Sequence, residues 1–94
     1  SATITVQAGS ESMCKAGMGK GDLLVIDRTI KPKSGQIVLV DLSSNLTIRR
    51  FVQAGNHIEL HPDNFEPNSK IIKPKNYDVW SVIGVVTFVI KAML

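Results

Sequence analysis

Short stretches in which apolar and polar residues alternate recur along the whole chain. Residues 3–8 read TITVQA and residues 23–27 read LLVID, and both are rich in the β-branched residues that favour strands. Turn-forming residues separate such stretches at intervals of about eight to twelve residues, as in all-β sandwiches and barrels. The other predicted strands are residues 36–42, 46–52, 57–61, 69–73 and 78–91.

The segments between these strands predict turns and very little helix. Residues 43–45, SSN, predict a tight turn that joins two strands into a hairpin, and Gly84 predicts a bulge or bend in the last strand. Residues 13–16 predict one helical turn, with Ser10 or Ser12 as its cap. The fold class is therefore mainly β, a small β-sandwich or partly open barrel with at most one short helical turn.

The length and composition indicate one folded unit over residues 1–94. Apolar residues make up 44% of the chain, which is enough for one core. The net charge of +3 comes from scattered lysines and arginines. A nucleic-acid interface would normally show a denser basic stripe with stacking aromatics, so we expect no direct sequence-specific binding of nucleic acid.

The cysteine count and the apolar runs bear on the cell compartment. Cys14 is the single cysteine, so no intramolecular disulfide can form, which fits a reducing cytoplasm. The longest apolar run, residues 82–90, is too short to span a bilayer as a helix, and no signal peptide opens the chain. We therefore expect a cytoplasmic protein without a membrane segment.

Two histidines on one predicted strand are the only candidates for a metal site. His57 and His61 are expected on the same strand face, and Glu59 between them is interpreted as facing the other way. No third ligand then follows at a suitable spacing, so we interpret them as surface histidines. The sequence predicts no metal and no cofactor.

Four ordered segments resemble a known family. The first is residues 9–13, GSESM, and the second is residues 21–28, GDLLVIDR. The third is residues 32–40, PKSGQIVLV, followed by TIRRF, and the fourth begins with GVV at residue 84 and ends in VIKAM. Together they resemble the serine self-peptidases of the UmuD and LexA type, and the ending is more similar to the UmuD branch than to LexA or phage repressors.

The resemblance implies a catalytic pair of one serine and one lysine, within the β-rich C-terminal core typical of these proteins. It places the nucleophile at Ser12 and the general base at Arg49, where the family has lysine. A serine hydroxyl needs a base, and lysine serves once burial has removed its proton. Because arginine keeps its proton at neutral pH, we expect this chain to cleave inefficiently.

The resemblance also implies partners and a biological setting. UmuD-like proteins form homodimers in the bacterial SOS response, cleave off an N-terminal arm at a small-residue–Gly bond when a RecA–DNA filament stimulates them, and then assist an error-prone Y-family DNA polymerase in translesion synthesis. This chain resembles a core without that arm. The alternatives are the C-terminal dimerisation and self-cleavage domain of a LexA-like transcriptional repressor, and a signal-peptidase-like membrane enzyme.

Overall fold

The structure, a computed structural model, describes residues 2–10, 12–64, 66–75 and 79–91. These residues form one six-stranded sheet in the order β1-β2-β6-β3-β4-β5, and every neighbouring pair is antiparallel. The elements are β1 (Thr3–Gln7), a 3-10 turn (Cys14–Ala16), β2 (Leu23–Asp27), β3 (Ile37–Leu42), β4 (Asn45–Ala54), β5 (His57–His61) and β6 (Trp80–Ile90).

The mainly β fold predicted from the sequence is confirmed. The sheet is open, since β1 and β5 lie at its two ends and do not pair with each other. One predicted strand, residues 69–73, is wrong, because only Ile72 pairs there, in an isolated bridge to Leu60. The predicted serine cap is also wrong: Met13 occupies the cap position of the 3-10 turn, and no side chain caps it.

The predicted hairpin joins β3 to β4. Ser43 and Ser44 both adopt positive φ angles, 50° and 73°, which matches the tight two-residue turns that suit the right-handed twist of paired strands. The Asp41 carboxylate accepts a hydrogen bond from the Ser44 backbone N–H at 2.9 Å. This hairpin fixes the register of β4 and therefore the position of every side chain on it.

Two apolar clusters cover opposite faces of the central strand β3. Leu39 points into the first cluster, whereas Val38 and Val40 point into the second. Because neighbouring residues of a strand face opposite sides, burial on both faces explains the continuous apolar run in β3. The buried members of the first cluster are Ala8, Met13, Met18, Leu24, Ile26 and Leu39, and those of the second are Val38, Val40, Leu60 and Val85.

Gly84 lies at the centre of β6, between β2 and β3. The pairing register of β6 shifts on both sides of it, which confirms the predicted irregularity. A Cβ atom at Gly84 would lie 2.6 Å from the Asp27 carbonyl oxygen and 2.7 Å from Cγ2 of Ile26. The absence of a side chain is therefore what lets β6 approach β2 so closely.

Candidate active site

Ser12 lies on the segment that connects β1 to β2 across one face of the sheet. The next residue, Met13, is 2% exposed and packs into the first apolar cluster together with Met18. These two buried methionines anchor both ends of the 3-10 turn to the sheet. Ser12, the residue before Met13, is thereby held in a fixed position over the first apolar cluster.

A second attachment joins the Ser12 segment to the end of β5. The backbone N–H of Asp63 donates to the carbonyl oxygen of Ser12 at 2.8 Å, and the backbone N–H of Lys15 donates to the carbonyl oxygen of Asp63 at 2.8 Å. The Asp63 carboxylate also accepts from Nη2 of Arg50 at 3.3 Å. Asp63 thus links the segment that carries Ser12 to β4, the strand that carries Arg49.

The structure brings Ser12 and Arg49 into contact, although 37 residues separate them in sequence. Nη1 of Arg49 donates to Oγ of Ser12 at 3.0 Å. The same nitrogen lies 2.6 Å from Oγ1 of Thr47 and 2.7 Å from the carbonyl oxygen of Ile48. This is the juxtaposition expected from the resemblance, and the catalytic roles of the two residues remain predictions.

The chemistry of this contact depends on which group carries the proton. Burial lowers the pKa of the Arg49 guanidinium, because water no longer solvates the charged form fully. Arginine nevertheless stays protonated in proteins and has no acceptor atom. The Ser12 oxygen therefore accepts this hydrogen bond, the reverse of the direction in which a base would remove its proton.

The Arg49 head group is also incompletely paired. Its Nε is buried and has no hydrogen-bond partner among the described residues. A buried donor without a partner typically costs about 1–3 kcal/mol of stability. In the part of the chain that the structure describes, the hydrogen bonds that hold the guanidinium all come from Nη1.

A cleft with a volume of about 380 Å³ opens beside Ser12. Ser10 and Ser12 form part of its polar wall, and their hydroxyl oxygens lie 3.0 Å apart. Apolar side chains line the remainder: Val6, Ala8, Met13, Met18, Leu24, Leu39, Leu46 and Ile48. This arrangement can hold an extended peptide whose backbone passes the serines while a side chain enters the apolar part.

The histidine pair on β5 differs from the expectation in one respect. Glu59 does not face away, because residues two apart on a strand share a face. Its carboxylate lies 2.9 Å from Nε2 of His61 and 3.1 Å from Nε2 of His57. These hydrogen bonds, His61 first, hold the pKa of Glu59 below its ordinary value. Within the described residues no group of three or more His, Cys, Asp or Glu side chains could hold a metal ion.

Sequence reasoning placed Ser12 and Arg49 but missed the residues around them. Thr47 carried no signal of its own, while Ser10 was considered only as a cap. Asp63 contributes chiefly through its backbone, which residue type does not reveal. The buried Asp22 carboxylate accepts from the Gly19 backbone N–H at 2.8 Å and so holds the turn that leads into β2.

Comparisons with known proteins show that the sequence is similar to one family of peptidases and repressors. The model of the Peptidase S24-like family matches residues 1–87. Protein ImpA of Salmonella typhimurium is 37% identical over 89 residues, which cover 95% of this chain and 59% of that protein. The LexA repressor of Clostridium novyi (strain NT) is 33% identical over 79 residues, 84% of this chain and 37% of the repressor. The LexA repressor of Idiomarina loihiensis is 33% identical over 90 residues, 96% of this chain and 43% of the repressor.

The matched region is only a part of each relative, since the chain spans 59% of the length of the ImpA proteins and less of the repressors. In the described parts of this chain, no helix has the length and apolar character needed to cross a membrane.

Proposed function

The chain belongs to the Peptidase S24-like family, and on that premise we propose that it is the core of a UmuD-like SOS mutagenesis protein. In this proposal it acts in the bacterial cytoplasm in the form that remains after removal of an N-terminal arm. It binds as a homodimeric accessory subunit to an error-prone Y-family DNA polymerase. The ImpA relatives, aligned over 95% of this chain, support the family placement.

The contact between Arg49 and Ser12 is the observation that carries the enzymatic part of the proposal. In a serine–lysine pair the neutral amine accepts the serine proton while the oxygen attacks the peptide carbonyl. Here the guanidinium donates to Oγ of Ser12 at 3.0 Å instead. In this proposal Ser12 faces a group that cannot accept its proton, so the chain binds peptides and cleaves them poorly.

The outward face of β2 and β6 supports the homodimer. Leu23 pairs with Ile90, and Val25 pairs with Phe88, so these four side chains share one face. Phe88 is 68% exposed, Ile90 53% and Leu23 42%. Contiguous exposed apolar residues of this kind mark interaction surfaces. We assign this face to a second copy of the chain. The RecA filament and the polymerase are proposed as partners on the family resemblance alone.

A LexA-like repressor is the second candidate function, and the two LexA repressors that align over most of this chain favour it. In that case the same domain would serve dimerisation and self-cleavage behind a DNA-binding domain. The segment encoded upstream of residue 1 discriminates between the two: a helix-turn-helix domain indicates a repressor, and a short arm indicates the UmuD type.

The experiment that tests the peptidase part is the Arg49→Lys variant. The ordinary pKa of arginine lies well above that of lysine, which is about 10.4, so lysine offers at least about a hundredfold more neutral base at pH 7. We expect the variant to cleave a supplied peptide containing an Ala-Gly bond at least about a hundredfold faster than the unmodified chain. Mass spectrometry of the products measures both rates.

Two controls make the result specific. Adding Ser12→Ala to the Arg49→Lys variant should abolish cleavage, because the nucleophile is then missing. Arg28→Lys makes the same chemical exchange at an exposed position and should leave cleavage unchanged. The proposal is wrong if the unmodified chain already cleaves as fast as the Arg49→Lys variant and loses that activity with Ser12→Ala.

A further inference from the structure

The two hydroxyl groups at the polar end of the cleft leave one hydrogen free to donate. Because arginine has no acceptor, Oγ of Ser12 accepts from Nη1 of Arg49, and the hydroxyl hydrogen of Ser12 points elsewhere. Oγ of Ser10 accepts from the Ser12 backbone N–H at 3.4 Å. The two hydroxyl oxygens also hydrogen-bond to each other at 3.0 Å, which uses one of their two hydrogens. One hydroxyl of the pair can therefore donate to a third group placed in the cleft.

The charge behind these hydroxyls is not neutralised. The Arg49 guanidinium is partly buried, and it makes no ion pair with any carboxylate in the described parts of the chain. Removing a cation from water is unfavourable unless an anion accompanies it. Among the described residues the site thus combines a positive charge and a free donor hydroxyl without an anion paired to that charge, which is a composition suited to binding an anion.

The cleft beside this charge is shaped for a peptide. β4 pairs with β5 only from Arg50 to Ala54, so the edge of residues 45–49 is not covered by any described strand. Leu46 and Thr47 on that edge line the cleft, and so do Gly9 and Ser10 beyond the end of β1. Open strand edges bind extended peptides through backbone hydrogen bonds.

We propose that this cleft binds the free C-terminal carboxylate of a peptide that ends in an apolar residue. One hydroxyl of the Ser10–Ser12 pair donates to the carboxylate, and the Arg49 guanidinium, which donates to Ser12, supplies the compensating charge. The terminal side chain enters the apolar part of the cleft between Met13 and Met18. The inference rests on the proposed function, in which arginine replaces the base and turns a cleaving site into a binding site.

Such a carboxylate is the group that hydrolysis of a peptide bond leaves on the N-terminal product. The Arg49 guanidinium keeps its positive charge at neutral pH, so it favours a carboxylate bound to the neighbouring serines without touching that carboxylate itself. A lysine in its neutral, catalytic form carries no charge and would release the product acid. Arg49 therefore favours retention of a peptide whose end is already free.

The test compares two peptides on the unmodified chain by isothermal titration calorimetry at pH 7. The probes are acetyl-Val-Thr-Val-Ala as the free acid and the same peptide as its C-terminal amide; neither contains a cleavable small-residue–Gly bond. We expect the acid to bind at least about tenfold more tightly, since hydrogen bonds to a charged group are the stronger ones. Equal affinities overturn the proposal.

Two further measurements define the ligand and the residues. Sodium acetate should compete with the acid only weakly, and acetate that binds as tightly as the peptide overturns the peptide assignment in favour of a simple anion site. Arg49→Gln should reduce the acid-over-amide ratio to about one, whereas the exposed control Arg28→Gln should keep it. If thermal melts show that Arg49→Gln does not fold, Ser10→Ala replaces it and should lower the ratio.

The binding and cleavage experiments test the two proposals separately. A chain that prefers the acid but gains no cleavage with Arg49→Lys contradicts the proposed function and leaves the carboxylate site standing. A chain that gains cleavage but binds acid and amide equally contradicts the carboxylate site alone.

Discussion

Replacement of Gly84 by alanine is expected to destabilise the fold by pushing apart the two strands at its centre. The new Cβ would lie 2.6 Å from the Asp27 carbonyl oxygen, where ordinary contact begins at 3.4 Å, so the strands must separate by about 0.8 Å. The obstacle is backbone, which cannot rotate away as a side chain does. Ile26, whose Cγ2 lies 2.7 Å from the new atom, is fully buried in the cluster beneath the Ser12 segment.

The expected magnitude follows from this overlap. Overpacking of a well-packed core typically costs about 1–3 kcal/mol, and a backbone obstacle places Gly84→Ala in the upper part of that range, at about 2–3 kcal/mol. With a urea dependence of about 1 kcal/mol per molar, typical of a small domain, the unfolding midpoint should fall by about 2–3 M.

Urea unfolding followed by tryptophan fluorescence measures this shift. Trp80 is the single tryptophan and packs against the second apolar cluster, so its emission reports loss of the core. Gly9→Ala is the matched control, because a Cβ at Gly9 meets no atom within 4 Å and its φ is not positive. If both variants unfold at the same urea concentration as the unmodified chain, the close approach of β6 to β2 is refuted.

Two other predictions concern the surface. The histidine hydrogen bonds that lower the pKa of Glu59 mean that its carboxylate stabilises the folded state above the unfolded value of about 4.3, and that this contribution is lost as the pH falls through the lower folded value. The stability difference between the unmodified chain and Glu59→Gln should therefore shrink between pH 6 and pH 3 in thermal melts; a difference that does not change with pH would contradict it. If the β2–β6 face joins two copies as proposed, the unmodified chain and the exposed control Val79→Glu should sediment as dimers and Phe88→Glu as a monomer. A dimer that persists in Phe88→Glu would rule out this face.

Alternation of apolar and polar residues predicted the strands well where each strand pairs along its length. β2 and β5 have the predicted bounds, and β1, β3, β4 and β6 differ from prediction by a few residues at their ends. The segment at residues 69–73 failed because its β-branched residues form only one bridge, from Ile72 to Leu60. Local preference for extended backbone does not supply a partner strand, and without one a strand does not form.

The candidate site was predictable only in part, for reasons that differ among its residues. Ser12 and Arg49 stood out because their ordered motifs resemble a family, not because spacing in the chain relates them. The prediction that Glu59 faces away from the histidines was wrong because residues two apart on a strand share a face. This rule applies to the sequence alone, so the error could have been avoided without a structure. The role of Asp63 could not be predicted from the sequence, since its two contacts to the Ser12 segment use backbone atoms that every residue except proline possesses.

Sequence by itself determined that this chain forms a mainly β fold, because local periodicity needs no distant neighbours. The roles predicted for Ser12 and Arg49 came from the resemblance of their motifs to a family, and residue type adds that an arginine cannot accept a proton. Only the tertiary structure decided that Nη1 of Arg49 meets Oγ of Ser12, that Glu59 joins both histidines, and that a cleft opens between β1 and the uncovered part of β4. Such facts depend on how distant strands pair, and pairing is fixed by burial of the whole sheet.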